Sequence, residues 1–504
     1  MKRLRWYDFI SINLFWLGLN IRNTAVGSVF MPYLVDMFVN PEVKNTYLGI
    51  MRTAGLVIAM LVQPAMGLLS DHSTSRFGRR RPFIFIGVIF DLIFMVGIGL
   101  SGNYWALFVV LLFQQFSANV SHGPLQGLIP DLVPEEQRGR ASAVKAIFEL
   151  IPLVLVAFTI GKLVSQKQVW PAIWVTCAAV FLTMLLTMLL VKEEPLKEKP
   201  TTSLREPMLR VMGVLVGVLF GGVIGLIIGG GLGTTIICSK SFPECNSIVR
   251  VLGGGGAKEA LASFAKLIQT YNTANFLGIS LGGMLAMAIA VIVGVWAGAY
   301  ATLGQDARRQ SPFTWWIVNR LMFLAAVTSI QSFAPYFLMS AFQLTREAAI
   351  GLNTNLMMVV GLFTMVTALP GGWLADKFGK KVLTAVAGLV AVIGTLILLS
   401  TTLVPNLTVM YVAGITIGLA AGLFMTTNWA LGTELAPKEE AGRYLGISNL
   451  AGAGAGMVGA GIGGPVADLI NRLRPGLGYF VIFSCYVALF ALSIVSLIWV
   501  KKRA

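Results

Sequence analysis

Glu149 follows Lys145 by one helical turn, Asp91 stands alone in an apolar run, and Arg22 lies between Asn20 and Asn23 in another. A lysine and a glutamate four apart on a helix can pair. A carboxyl group taken out of water holds its proton more tightly, which would let Glu149 or Asp91 load and release one near neutral pH. A guanidinium flanked by amides suits an anionic or polyhydroxylated ligand through several N–H donors. Asn319-Arg320 offers the same chemistry later in the chain, with Gln331, Asn353, Asn355 and Asn428 as further polar positions. Gln114, Gln115, Asn119 and His122 share one stretch and could hydrogen-bond a hydroxyl-rich ligand, or equally join one helix to another. For Lys145 and Glu149 a buried structural pair competes with proton exchange. Ionisable groups in such apolar surroundings are costly and usually functional.

The surroundings are apolar throughout. The chain has 504 residues, 56% hydrophobic and 12% charged, with mean hydropathy +0.79. A soluble chain carries about a quarter charged residues. The excess apolar surface needs lipid as its solvent, and helices of about 20 apolar residues satisfy their own backbone there. No stretch alternates with the period of two that barrel strands show. An all-α polytopic membrane protein follows.

The spans fall at 7–38, 47–70, 82–101, 105–130, 140–162 and 169–191, then at 313–341, 347–371, 382–402, 408–433, 442–467 and 477–500. Two more lie between the halves, near 208–233 and 276–300, which makes about 14. The units are expected at 1–200, 201–305 and 306–504. Of the basic residues, roughly 24 fall in loops of one side and about 10 in loops of the other, the positive-inside bias. The net charge of +16 thus reports topology and contact with anionic lipid, and no nucleic-acid partner is expected. Lys2-Arg3-Leu4-Arg5 runs into a span too long for a signal-peptide core, so both termini are expected in the cytoplasm of a multi-pass cell-membrane protein.

The longest charged motif is a loop, Gly67-Leu-Leu-Ser70-Asp71 through Arg76-Phe77-Gly78-Arg79-Arg80-Arg81-Pro82, and a shorter version returns as Gly372-Trp-Leu-Ala-Asp376-Lys-Phe-Gly379-Lys380-Lys381. Pro32-Tyr33 returns as Pro335-Tyr336, and Asp131-Leu-Val-Pro134…Gly139-Arg140 as Glu434-Leu-Ala-Pro437…Gly442-Arg443, both displaced by 303 positions. Two homologous bundles in one chain is the layout of secondary transporters. Asp71 ends a helix, where the dipole disfavours an anion, so it needs a basic partner. Arg76, Arg79 and Arg80, with Gly78 shaping the loop, supply candidates. Asp71, Asp131 and Arg140, and their counterparts Asp376, Lys380, Glu434 and Arg443, are therefore candidate gating residues. Plain anchoring of the loop by its arginines is compatible with this role.

The inserted segment has its own pattern. Gly213, Gly217, Gly221, Gly225, Gly229 and Gly233 recur every four residues, as do Gly278, Gly282, Ala286, Ala290, Gly294 and Gly298. Such small-residue ridges let helix backbones approach closely, so a hairpin packed on itself outside the core is expected. Leu261, Phe264, Ile268 and Tyr271 suggest a short amphipathic helix at the membrane surface. Cys177 and Cys485 read as packing residues, whereas Cys238 and Cys245 could form a disulfide or stay as thiols.

Gly67 to Arg81 resembles the loop 2–3 signature of the major facilitator superfamily. More narrowly, Ser70-Asp71 through Arg76-Phe77-Gly78-Arg79-Arg80-Arg81-Pro82-Phe83-Ile84 resembles the sucrose symporters and the glycoside–pentoside–hexuronide cation symporters. Asn119-Val-Ser-His122-Gly123-Pro124 through Asp131-Leu132 resembles span 4 of the same group. The resemblance implies two six-helix bundles with a solute cavity between them, moving a small solute, such as a sugar or glycoside, with a proton or another cation. An exporter of amphiphilic compounds is the alternative. Where the plant symporters carry an acid in span 4 this chain has Gln115, which cannot exchange a proton, so coupling falls to its other ionisable groups. With two histidines and no acidic pair at one interface, a membrane-embedded enzyme is disfavoured. No phosphate-binding Gly-x-x-x-x-Gly-Lys-Ser/Thr loop is present. No cofactor and no metal site are expected, and the protein is expected to act as a monomer.

Overall fold

The computed structural model describes residues 4–193, 276–303, 311–435, 441–472 and 474–500, together with Val216 and Arg308. All regular structure among them is helical. α1 (Trp6–Ala25) runs through a π-helical turn, Val26–Phe30, into α2 (Met31–Phe38), and together they make the first span. α3 (Lys44–Asp71), α4 (Arg81–Leu100) and α5 (Tyr104–Leu132) follow. α6 (Arg138–Val156) continues through a second π-turn, Ala157–Gly161, into α7 (Lys162–Ser165), and α8 (Val169–Leu190) closes the first bundle. The second bundle is α10 (Ser311–Ala341), α11 (Arg346–Phe378), α12 (Lys380–Leu403), α13 (Leu407–Leu435), α14 (Ala441–Asn471) and α15 (Leu477–Ser496). Eleven described helices are long and apolar enough to cross a membrane.

Of the expected hairpin, the second arm, α9 (Phe276–Leu303), lies among the described residues. It packs on α14, α10 and α15, and Met287, Ala290, Val291 and Val295 join the same apolar core as the second bundle. Its ridge positions Gly282, Ala286, Ala290, Gly294 and Gly298 are buried. The glycine ridge at 213–233, the amphipathic stretch at 261–271 and Cys238 and Cys245 lie outside the described residues.

Within the first bundle α1 packs on α6 and α8, α3 on α5, and α4 on α5 and α8; within the second, α12 and α11 both pack on α13. The bundles meet through α3 against α14 and through α6 and α7 against α11. Both seams depend on small residues. A Cβ at Gly49 would overlap the Ala460 carbonyl, one at Gly464 the Asn45 carbonyl, and one at Gly161 the Thr354 side chain. These approaches join the first half of α3 to the second half of α14, and the end of α6 to the start of α11. They lie on the face of the molecule remote from Arg79 and Arg80.

Candidate functional site

Three polar centres lie at the middle of the bundles. Arg22 on α1 meets Asp91 on α4, Nε to Oδ2 3.3 Å, with both side chains 2% exposed. Gln114 on α5 donates from Nε2 to Asp91 Oδ1 at 2.8 Å. A buried carboxylate is tolerated only when it is paired and hydrogen-bonded, and α1, α4 and α5 each supply one of the groups required. Asn23 is exposed on the other side of α1. Gln115 turns toward α3 and packs over Gly55, and Asn119 is buried, bonding back to the Gln115 carbonyl at 2.7 Å.

On α6, Lys145 and Glu149 pair at 3.3 Å and remain about a third exposed, at 29% and 35%. The Lys145 ammonium also lies 4.0 Å from the centre of the Trp16 ring, an attraction between cation and aromatic face. Trp16 stands edge-on to His122 at 5.2 Å. The second bundle answers with Asn319, Arg320 and Asn428. Asn428 donates to Asn319 Oδ1 at 2.7 Å and accepts from Arg320 Nη1 at 3.2 Å. Arg320 lies over Trp429, 5.1 Å from the ring centre, and feels the charge of Glu149 in the other bundle. Gln331 stands apart, lining an apolar cavity of about 70 Å³ with Asn353, Met357, Phe483 and Leu153.

The arginine loop forms a compact cluster within the first bundle. Arg80 bonds Asp71 through Nη2 at 2.6 Å, Asp131 through Nε, and the Ser70 hydroxyl through Nη1 at 3.3 Å. Arg79 meets Asp131 at 2.5 Å. Burial opposes the charge on Arg79, but Asp131 above all, helped by Asp71 and Glu193, raises its pKa above the ordinary value. Glu193, just past α8, accepts from the backbone N–H groups of Arg80 at 3.0 Å and Arg81 at 3.3 Å, placing a carboxylate at the start of α4 where the dipole favours it. Nothing in the sequence pattern marked Glu193 for this role. Arg76 is exposed over Phe77, 4.9 Å from the ring centre, and Arg140 is exposed as well.

Gly78 has φ +102°, and a Cβ there would come within 2.5 Å of the Glu193 carboxylate. Gly78→Ala is therefore expected to lower stability by about 1–3 kcal/mol, measured as earlier thermal unfolding of the purified protein. An unchanged transition would reject this role. The second half repeats the design more sparsely. Gly379 has φ +90°, and Lys380 pairs with Glu434 at 3.2 Å. Asp376 is exposed and joins no described ion pair. Arg443 lies on α14, and its side chain is outside the described residues.

The opposite face carries contacts that the sequence did not reveal. Asp36 at the end of α2 accepts from Lys44 at 2.8 Å and from Arg346 Nε of the second bundle at 2.7 Å. Asp468 on α14 accepts from Asn45 Nδ2 at 2.7 Å and the Thr46 N–H at 2.6 Å. Tyr336 donates to the Pro32 carbonyl at 3.0 Å, so the two copies of the Pro-Tyr repeat touch. The contacts Asp36–Arg346, Asn45–Asp468 and Tyr336–Pro32, which join the two bundles, all lie on this face. The signal was available in part, since the Pro-Tyr repeat marks equivalent helix ends one turn from Asp36.

The family model described as Major Facilitator Superfamily matches residues 17–460. The chain belongs to that superfamily. As a member it is a multi-pass membrane transporter, not an enzyme. Sucrose transport protein SUT1 of Oryza sativa subsp. japonica is 30% identical over 139 residues, covering 23% of this chain and 25% of that protein. Sucrose transport protein SUC3 of Arabidopsis thaliana is 27% identical over 213 residues, or 34% and 35% of the two chains. The matched region thus spans about a quarter to a third of these relatives' length. Among solved structures, a D-xylose-proton symporter superposes with TM-score 0.61 at 14% identity, covering 99% of this chain and 98% of that one. A POT family transporter in complex with a thioalcohol-conjugated peptide gives 0.64 at 12%, covering 98% and 95%. These likenesses establish the superfamily fold.

Proposed function

We propose that this transporter moves a small sugar-like solute by alternating access, coupled to protons, and that the conformation described faces the cytoplasm. The observation that carries the reading is the placement of the contacts between the bundles. They hold the face bearing Asp36 and Asp468 together, while the clusters around Arg80 and Lys380 stay within their own bundles. By the positive-inside bias, the arginine face is cytoplasmic. Its clusters then act as gating elements that lock each bundle into one rigid piece, and the bundles rock about a site at mid-depth. The cell membrane, cytoplasmic termini and units at 1–200, 201–305 and 306–504 complete the proposal. The partial likeness to sucrose transport proteins supports a sugar-like solute.

The solute would meet Lys145 and Glu149 on one side and Arg320 and Trp429 on the other. An aromatic face beside N–H donors suits a polyhydroxylated ring, whose C–H face stacks while its hydroxyls hydrogen-bond. Glu149 is the proposed proton site because it is the carboxylate at mid-depth left open enough to exchange with the cavity. Asp91, sealed with Arg22 and Gln114, holds α1 to α4 and α5.

The test uses proteoliposomes loaded with the purified protein. Substrate addition is expected to alkalinise the outer medium. Glu149→Gln should abolish proton movement while substrate exchange across the membrane continues. Proton movement that survives the substitution would reject Glu149 as the coupling site.

A further inference from the structure

The charges at mid-depth do not balance. Among the described residues the central part of the spans holds Arg22, Arg52, Lys145 and Arg320 against two carboxylates, Asp91 and Glu149. Arg22 is matched by Asp91 and Lys145 by Glu149. Among the described residues, no carboxylate lies within ion-pair distance of Arg52 or Arg320. A change of partner by Glu149, from Lys145 to Arg320, would leave the excess as it is.

Both arginines are held by neutral groups. Arg52 donates through Nη2 to the Gly27 carbonyl, which belongs to the π-turn of the first span. Arg320 donates through Nη1 to Asn428. In each, Nε is sealed from solvent and has no acceptor, although the side chain as a whole is half-buried. An unsatisfied donor on a buried cation is costly until an acceptor arrives. Arg52 lies on α3 one residue before Thr53 of the closed seam, whereas Arg320 lies on α10 beside Trp429 and within reach of the charge on Glu149.

We propose that the transported solute is an organic anion, its carboxylate or phosphate held by Arg320 between the bundles. A neutral sugar could satisfy the N–H donors but would leave the positive excess in place. A carboxylate or phosphate supplies both the acceptors and the charge, and guanidinium groups bind either through paired N–H donors. This rests on the reading that the solute binds between the bundles.

The test compares glucose, gluconate and glucose 6-phosphate at matched ionic strength, by thermal shift of the purified protein and by uptake of the labelled compounds into proteoliposomes. Gluconate or glucose 6-phosphate should stabilise the protein and enter the vesicles, and which of the two does so separates carboxylate from phosphate recognition. Glucose should do neither. Arg320→Gln should weaken anion binding by about thirty-fold, with Arg320→Lys recovering part of it. Ligand-free unfolding curves identify any variant that fails to fold. Stabilisation by glucose alone, or by none of the three, overturns the charge assignment. Uptake of glucose without the anions overturns it while leaving transport intact. Anion binding without any uptake keeps the charge assignment and rejects transport.

Discussion

Asp36→Asn is expected to loosen the seam between the bundles on the face remote from the arginine cluster. Asp36 is 7% exposed and holds Lys44 from its own bundle and Arg346 from the other. Asparagine keeps the shape but leaves two cations side by side without their anion. Removing one partner of a largely buried ion pair costs about 3–5 kcal/mol. Arg346 is 26% exposed, so water recovers part of this, and about 2 kcal/mol is a reasonable share. That corresponds to roughly a thirty-fold shift toward conformations open on this face. A cysteine at Thr53, which packs against Gly461 in the seam, reports the shift. In a background lacking Cys238 and Cys245, with Cys177 and Cys485 buried, its reaction with an impermeant maleimide should accelerate by at least about ten-fold. Equal rates with and without Asp36 would show that the ion triad does not hold the seam.

Arg80 should tolerate neither glutamine nor lysine. It is 6% exposed and uses three separate nitrogens for Asp71, Asp131 and Ser70, with the guanidinium pressed against Gly127. Glutamine leaves two carboxylates facing each other with only Arg79 nearby, at a cost of about 3 kcal/mol or more. Lysine keeps the charge but cannot reproduce the planar fork, so Arg80→Lys should recover less than half of the lost thermal stability and transport. Arg76→Gln, at an exposed position in the same loop, serves as the control and should behave like the parent. Full rescue by lysine would mean that charge alone, and not the three-way geometry, matters at this site.

How much was legible beforehand follows from how local each signal is. Spans announce themselves by apolar length and charged ends, so the expected 82–101 and 169–191 correspond to Arg81–Leu100 and Val169–Leu190. The need of Asp71 for a basic partner was equally local, because helix dipole and arginine loop are adjacent in the chain. Which arginine would answer was not. Arg79 and Arg80 differ by one position, yet Arg80 is enclosed and Arg79 is 23% exposed. Gln114 and Gln115 show the same limit. Neighbours on a helix point about 100° apart, and only the placement of α4 beside α5 selects Gln114 as the partner of Asp91.

The sequence by itself determined the class of molecule, the duplicated halves, the apolar spans and the short roll of ionisable groups at mid-depth. These follow from hydropathy and spacing, which act over one or two helical turns. Tertiary structure alone decided which of those groups pair, that α9 joins the second bundle, and that Asp36 and Asp468 clasp residues more than 300 positions away. The reason is physical. Partner choice between helices depends on how backbones approach at glycines such as Gly49, Gly161 and Gly464, and on the rotation of each helix about its axis. Neither is written in the order of residues along one helix.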